Sequence, residues 1–269
     1  MTERAPAKVN LVLRVGPPRA DGLHEIASLF ASLDLADELT FEEAERDEMV
    51  CPGVEGENLA SVALSEFRGA GGQLPPLRVT IDKRIPVAAG LGGGSADAAA
   101  VLRVAQRMAP IDKAALQSVA AGLGSDVPSQ LRPAHAIVTG TGERVESVEL
   151  PPMALVLVPS SEGLSTAAVF AELDRLRPRA PAPDAGGLRE LLASGADALA
   201  RGLENDLEVA ALALRPELAG VLDELHEAGA LGVRITGSGP TAFGVFSDTA
   251  AAEAAAARFE HGLVVAVAA

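Results

Sequence analysis

Between Pro86 and Ser95 the sequence reads PVAAGLGGGS, with glycine at 90, 92, 93 and 94, and continues into an alanine-rich helical pattern. Glycines in such a run leave backbone N–H groups uncovered by Cβ atoms. A helix start behind them adds the positive end of its dipole, and the combination suits phosphate. A Gly-Lys-Ser/Thr loop does not fit, because the run ends Gly94-Ser95-Ala96 without a lysine. The dinucleotide fingerprint G-x-G-x-x-G fails too: counted from Gly90 its last position holds Ser95, and counted from Gly92 it holds Asp97. A tight turn rich in glycine is the plain alternative.

Other residues with chemical potential are weak in isolation. Lys8, in KVNLVLRV, would by itself be a solvated strand lysine. Asp126, in GSDVP, would be a turn or cap residue. Asn10 stands two residues beyond Lys8, so strand alternation puts both side chains on one face. His24 reads as a loop histidine, and TGSGP at 236–240 as a turn between two strands. His135, His226 and His261 lie far apart without metal-ligand spacing and read as structural or surface residues.

The elements that must position these residues follow from periodicity and breakers. Strands are expected at 8–15, once or twice within 24–44, and at 75–86, with a helix over 57–72 between them. A helix starting near Ser95 carries Val101, Leu102, Ala105 and Met108 on one face, and another covers 111–124. After SDVPSQL come short strands in HAIVTG and ERVESVEL. Pro151 and Pro152 mark a boundary, giving domains over 1–150 and 151–269. Beyond it the pattern predicts the strand MALVLVP, a helix over 164–176, a flexible Pro- and Ala-rich connection at 177–187, and helices near 188–199, 205–214 and 216–228. The strands GVRIT, PTAFGVF and LVVAVA and a helix over 248–259 complete it. Strands and helices interleave without a regular βα repeat, so the fold class is α+β.

Composition limits the function classes. The 269 residues carry a net charge of −15, which argues against binding a nucleic-acid backbone but leaves room for an anionic ligand in a focused cleft. No apolar stretch reaches the roughly 20 residues of a membrane span, and MTERAPAKVN lacks the apolar core of a secretory signal. One cysteine, Cys51, excludes an internal disulfide and a cysteine zinc cage. A cytoplasmic protein is expected. Trp and Tyr are absent, so aromatic stacking rests on seven Phe and four His.

The run Pro86-x-x-x-Gly90-Leu91-Gly92-Gly93-Gly94-Ser95 resembles the phosphate loop of the GHMP kinase superfamily. Its triple glycine is similar to that of the superfamily's isoprenoid-precursor kinases, whose alcohol is a cytidine-diphosphate-linked methylerythritol. APAKVNLVLRV with RADGLHEIASLF, GLGSDVPSQL, and RITGSGPTAFGVF match further motifs in order, so the resemblance covers most of the chain. It implies an N-terminal domain like ribosomal protein S5 domain 2 and a ferredoxin-like C-terminal domain, with ATP and substrate meeting in the cleft between them. The implied reaction transfers the γ-phosphoryl of ATP to the 2-hydroxyl of that small molecule, and the implied catalytic pair is Lys8 and Asp126.

The chemistry agrees with that pair. Asp126 can take a proton or hydrogen bond from the alcohol, and Lys8 can hold it ionised and stabilise developing charge. At 4 Å and an effective dielectric near 20, such a pair interacts by about 4 kcal/mol before desolvation. The resemblance assigns Pro86, Gly90, Leu91, Gly92, Gly93, Gly94, Ser95, Asn58 and Lys83 to ATP. It assigns Asn10, His24, Thr166, Gly237, Ser238 and Gly239 to the substrate. Mg²⁺ is expected with ATP, with Ser95 as its hydroxyl ligand. Departures are Leu23, where the family often has tyrosine, Ala96 in place of a second serine, and Asp97, read as a possible helix cap. Phe170 is a candidate aromatic ring for the base. Rival readings are another GHMP kinase of homoserine or mevalonate type, which RADGLHEI disfavours, and a non-catalytic nucleotide sensor, which has no need of both Lys8 and Asp126.

Overall fold

The structure, a computed structural model, describes residues 1–54, 56, 58–160, 162–177 and 182–268. Two long strands, β1 (Thr2–Pro18) and β2 (His24–Glu43), are hydrogen-bonded neighbours. Both thread through two compact units. One unit gathers residues 1–7, 35–87 and 92–134, the other residues 8–34, 88–91 and 135 onward. The units therefore interleave along the chain and do not follow the 1–150 and 151–269 segments. One cause is a long-range pairing: the strand at 136–140 pairs with residues 26–30 in the first half of β2, which draws it into the second unit.

In the first unit, β3 (Glu48–Val50) runs parallel to β4 (Leu77–Asp82), which pairs antiparallel with β2 from Glu38↔Asp82 to Glu43↔Leu77. LRVTID alternates as a half-covered strand should, burying Leu77, Val79 and Ile81. Helices α1 (Leu59–Gly69), α2 (Gly93–Met108), α3 (Lys113–Leu123) and α4 (Val127–Gln130) pack with these strands in one apolar core. Val101, Leu102 and Ala105 of α2 are buried and Met108 packs against the same core, but burial extends beyond that face. Every residue from Ala96 to Val101, and Leu102 after it, is buried. Helices α1, α3 and α4 all pack on this alanine-rich helix, so burial loses its 3.6-residue rhythm.

In the second unit, β5 (Ala136–Gly140) pairs with β2 and with β6 (Arg144–Ser147). A four-stranded antiparallel sheet has the order β11 (Leu263–Ala266), β7 (Ala154–Val158), β10 (Ala242–Phe246), β9 (Gly232–Ile235). Central β7, ALVLV, is apolar throughout because both its faces are covered. Helix α5 (Thr166–Leu176) packs on α8 (Glu208–Leu214), while α9 (Leu218–Glu227) and α10 (Thr249–Ala256) pack on the sheet.

The helix expected over 188–199 is two, α6 (Gly186–Ala193) and α7 (Ala196–Arg201), interrupted at Gly195 with φ +90°. The expected helix start at 205 is instead a two-residue strand, β8 (Glu204–Asn205), parallel to β1 at Val12 and Leu13. Residues 178–181 of the Pro- and Ala-rich connection lie outside the described residues. No described helix is long and apolar enough to cross a membrane.

Candidate active site

In the second unit the alternation of β1 turns Lys8 and Asn10 the same way, as expected. Lys8 is only 5% exposed, which rules out a solvated strand lysine. Its Nζ donates to Asn10 Oδ1 at 2.8 Å and lies 4.8 Å from the centre of the Phe30 ring. Asn10 Nδ2 donates to Ser28 Oγ at 2.9 Å, and that hydroxyl donates to the Val12 carbonyl. The Asn10 amide is thus satisfied on the protein side, and its oxygen is turned toward the ammonium.

The glycine turn 236–239 meets the same pair. Asn10 N donates to Thr236 Oγ1 at 3.0 Å. A Cβ at Gly237 (φ +57°) would lie 3.3 Å from Asn10 Oδ1 and 3.7 Å from Lys8 Nζ. Gly90 approaches the turn so closely that a Cβ there would be 2.6 Å from the Gly239 oxygen, and Lys8 N donates to the Leu91 carbonyl at 3.0 Å. Ser238 Oγ and Thr166 Oγ1 share a hydrogen bond at 2.9 Å. Lys8, Asn10, Gly90, Leu91, Thr166, Gly237, Ser238 and Gly239 therefore form one connected group.

Thr166 does not cap α5; the cap is Ser165, whose Oγ accepts from Ala168 N. Asn205 also belongs to the group, since its Nδ2 donates to the carbonyls of Ile235 (2.7 Å) and Gly237 (2.8 Å). Nothing in its spacing marks that role, because a two-residue strand has no periodicity.

His24, assigned by the resemblance to the substrate with a surface loop histidine as the plain alternative, is buried at the start of β2. Its Nε2 lies 3.0 Å from Asp174 Oδ1, and its ring centre is 4.9 Å from that of Phe170 at 38°. Phe170 and Asp174 stand on one face of α5 at i and i+4, the helix that Thr166 begins. Leu23 is 53% exposed beside His24.

In the first unit, the glycine run enters α2 through Gly92, the N-cap, at φ +73°. No side chain caps this helix and no acidic residue occupies its first turn, so the donors of Gly93, Gly94 and Ser95 suit an anion. A Cβ on Gly94 would meet nothing within 4 Å. That open approach fits nucleotide phosphates. Ser95, half-buried on the same turn, carries a hydroxyl of the hard-oxygen kind that Mg²⁺ takes. Among the described residues no three His, Cys, Asp or Glu side chains group as a metal cage.

Asp126 takes the cap position of α4, but its side chain does not cap that helix. Its carbonyl accepts from Ser129 Oγ at 2.7 Å. Asn58 does cap, its Oδ1 accepting from Ala60 N at 2.9 Å. Asp97 is not a cap. It is 1% exposed, and its Oδ2 accepts from Lys83 Nζ at 2.8 Å. Lys83 also donates to fully buried Asp37 at 2.5 Å. Burial pushes the Asp97 carboxyl up to about 7; Lys83 opposes this, and neighbouring Asp37 reinforces it. Burial works against the Lys83 ammonium, yet Asp97 and Asp37 together hold its pKa above the usual lysine value.

The fold, the uncapped glycine-led helix and the buried lysine–asparagine pair define a class that family comparison states directly. Residues 58–132 match the GHMP kinases N terminal domain and residues 181–263 the GHMP kinases C terminal domain, and the chain belongs to the GHMP kinases. It is an ATP-dependent small-molecule kinase.

Within that class, relatives from several bacteria carry one name. The chain is 43% identical to 4-diphosphocytidyl-2-C-methyl-D-erythritol kinase of Anaeromyxobacter dehalogenans, over 94% of this chain and 82% of that protein. It is 41% identical to the kinase of the same name from Salinispora tropica, over 94% and 86% of the two chains. A crystal structure of 4-(cytidine 5'-diphospho)-2C-methyl-D-erythritol kinase matches with a TM-score of 0.83 and 36% identity, covering 100% of both chains.

Proposed function

We propose that this chain transfers the γ-phosphoryl of ATP to the 2-hydroxyl of 4-diphosphocytidyl-2-C-methyl-D-erythritol. The observation that carries the reading is the full-length likeness, 36% identical at a TM-score of 0.83, to a kinase titled for that substrate. Solved structures of homoserine and mevalonate kinases share the fold at 10% to 19% identity, which speaks to architecture alone.

In the proposed mechanism Asp126 receives the proton of the 2-hydroxyl as that oxygen bonds to the γ-phosphorus and the bond to the ADP oxygen breaks. Lys8, held by Asn10, offsets the negative charge gathering on the transferred group. Gly92 to Ser95 cradle the phosphates through backbone donors, and His24 with Phe170 holds the cytosine. Mg²⁺, when bound with Ser95 among its ligands, supplies charge neutralisation of the phosphate oxygens. The family matches at 58–132 and 181–263 lie on either side of Pro151, which supports reading 1–150 and 151–269 as the two GHMP sequence segments, while the compact units of the fold interleave across them. A cytoplasmic location is part of the same reading.

The test is ADP release from ATP·Mg²⁺ with the cytidine alcohol, homoserine or mevalonate, for the native chain and Asp126→Ala. Turnover on the cytidine alcohol alone, reduced by at least about a hundredfold in Asp126→Ala, is expected. Turnover on a different alcohol, or ATP binding without turnover on any, would replace this reading with the rival kinase or the sensor.

A further inference from the structure

Asp37 lies in LDLADELTF, a stretch that sequence alone reads only as a strand with acidic edges. In the structure it is fully buried and serves three donors at one place. Its Oδ1 accepts from Arg84 N at 2.7 Å and Ile85 N at 2.8 Å, and its Oδ2 from Lys83 Nζ at 2.5 Å. The segment it grips leads from β4 into the glycine run. Gly93 rests against that segment: a Cβ there would lie 3.1 Å from Ile85 Cγ2 and 3.3 Å from Lys83 Nζ. From the α2 side Asp97 takes the same ammonium, while Asp97 Oδ1 has no hydrogen-bond partner among the described residues.

Stability does not account for this arrangement. One carboxylate neutralises one ammonium, and burying a second with an unpartnered oxygen costs free energy. Two buried carboxylates gripping one lysine from β2 and from α2 do, however, fix the distance between those elements.

We propose that Asp37 is a positioning residue of the nucleotide site, setting the first turn of α2 through Lys83 and Ile85. The inference rests on the kinase reading above. The test compares native protein, Asp37→Asn, Lys83→Met and the double variant. Asp37→Asn keeps an oxygen for the two backbone donors and removes the charge that holds Lys83.

Affinity for a non-hydrolysable ATP analogue with Mg²⁺ should weaken about tenfold in Asp37→Asn, and KM for ATP should rise equally. KM for the cytidine alcohol should stay within about twofold of native. In the Lys83→Met background the Asp37→Asn change should add little, since both act through one contact. A folded Asp37→Asn with a lower Tm but native ATP affinity, or two effects that simply add, would overturn the proposal. Should Asp37→Asn not fold, Asp97→Asn tests the same grip from the α2 side without touching the backbone donors. Failure of the native chain to bind the analogue would sink the kinase reading itself, whereas equal binding by native and variant sinks only the role of Asp37.

Discussion

Lys8 and Asn10 illustrate what two positions of a strand can convey. Alternation alone placed both on one face, and the 2.8 Å contact between them agrees. Burial of that face was not legible, because it depends on Phe30, Ser28 and the turn at Thr236, which are remote in sequence. Asn205, which steadies the same turn, left no trace for a similar reason. Leu23 carries the residue-scale prediction. It stands exposed beside His24, and a tyrosine there would add an aromatic face next to the His24–Phe170 pair. Leu23→Tyr should lower KM for the cytidine alcohol by about three- to tenfold, with little change for ATP. Steady-state kinetics with each substrate varied in turn would check it; a shift in KM for ATP alone would remove Leu23 from the base site.

At the scale of elements, α2 was foreseen after the glycine run and begins two residues before the expected start at Ser95. Its partners were not foreseen, since an alanine-rich helix offers no strong apolar stripe to indicate which sides are covered. The two ends of the glycine run should respond differently to the same substitution. Gly90→Ala combines φ +76° with a Cβ pressed to 2.6 Å from a backbone oxygen, so it should cost more than about 1 kcal/mol and lower Tm. Gly94→Ala meets no atom within 4 Å and gains helix propensity, so Tm should hold or rise. KM for ATP in that variant should nonetheless climb about tenfold, because the methyl group obstructs the approach of phosphate. Thermal melts beside ATP titrations would check both. An unaltered KM in Gly94→Ala would mean that phosphate does not lie against that residue.

Away from the glycine run, Glu208 is a carboxyl whose surroundings work against its charge. Burial raises the Glu208 carboxyl above its ordinary value of 4.5, although the Ile235 N–H and Arg234 pull it down. As pH rises the unfolded chain gives up this proton first, so the stability Glu208 contributes is full below about pH 4.5 and is lost as pH climbs through the raised folded value. Glu208→Gln keeps an acceptor for Ile235 N and cannot titrate. Urea midpoints should therefore fall less steeply with pH above 4.5 in the variant than in the native chain. Superimposable curves would assign the pH dependence to other groups.

Read alone, the sequence indicated the α+β class, the order of most elements and the place of the glycine run ahead of a helix. Each of those is written in neighbouring residues, through periodicity, glycine spacing and breakers. The tertiary structure decided which segments belong together, pulling β5 into the unit that holds the first half of β2. It also brought Asp37 to Lys83, Asp174 to His24 and Asn205 to the turn at Gly237. Their partners lie 30 to 150 residues away, and a contact across such a separation is set by packing, which no local pattern records.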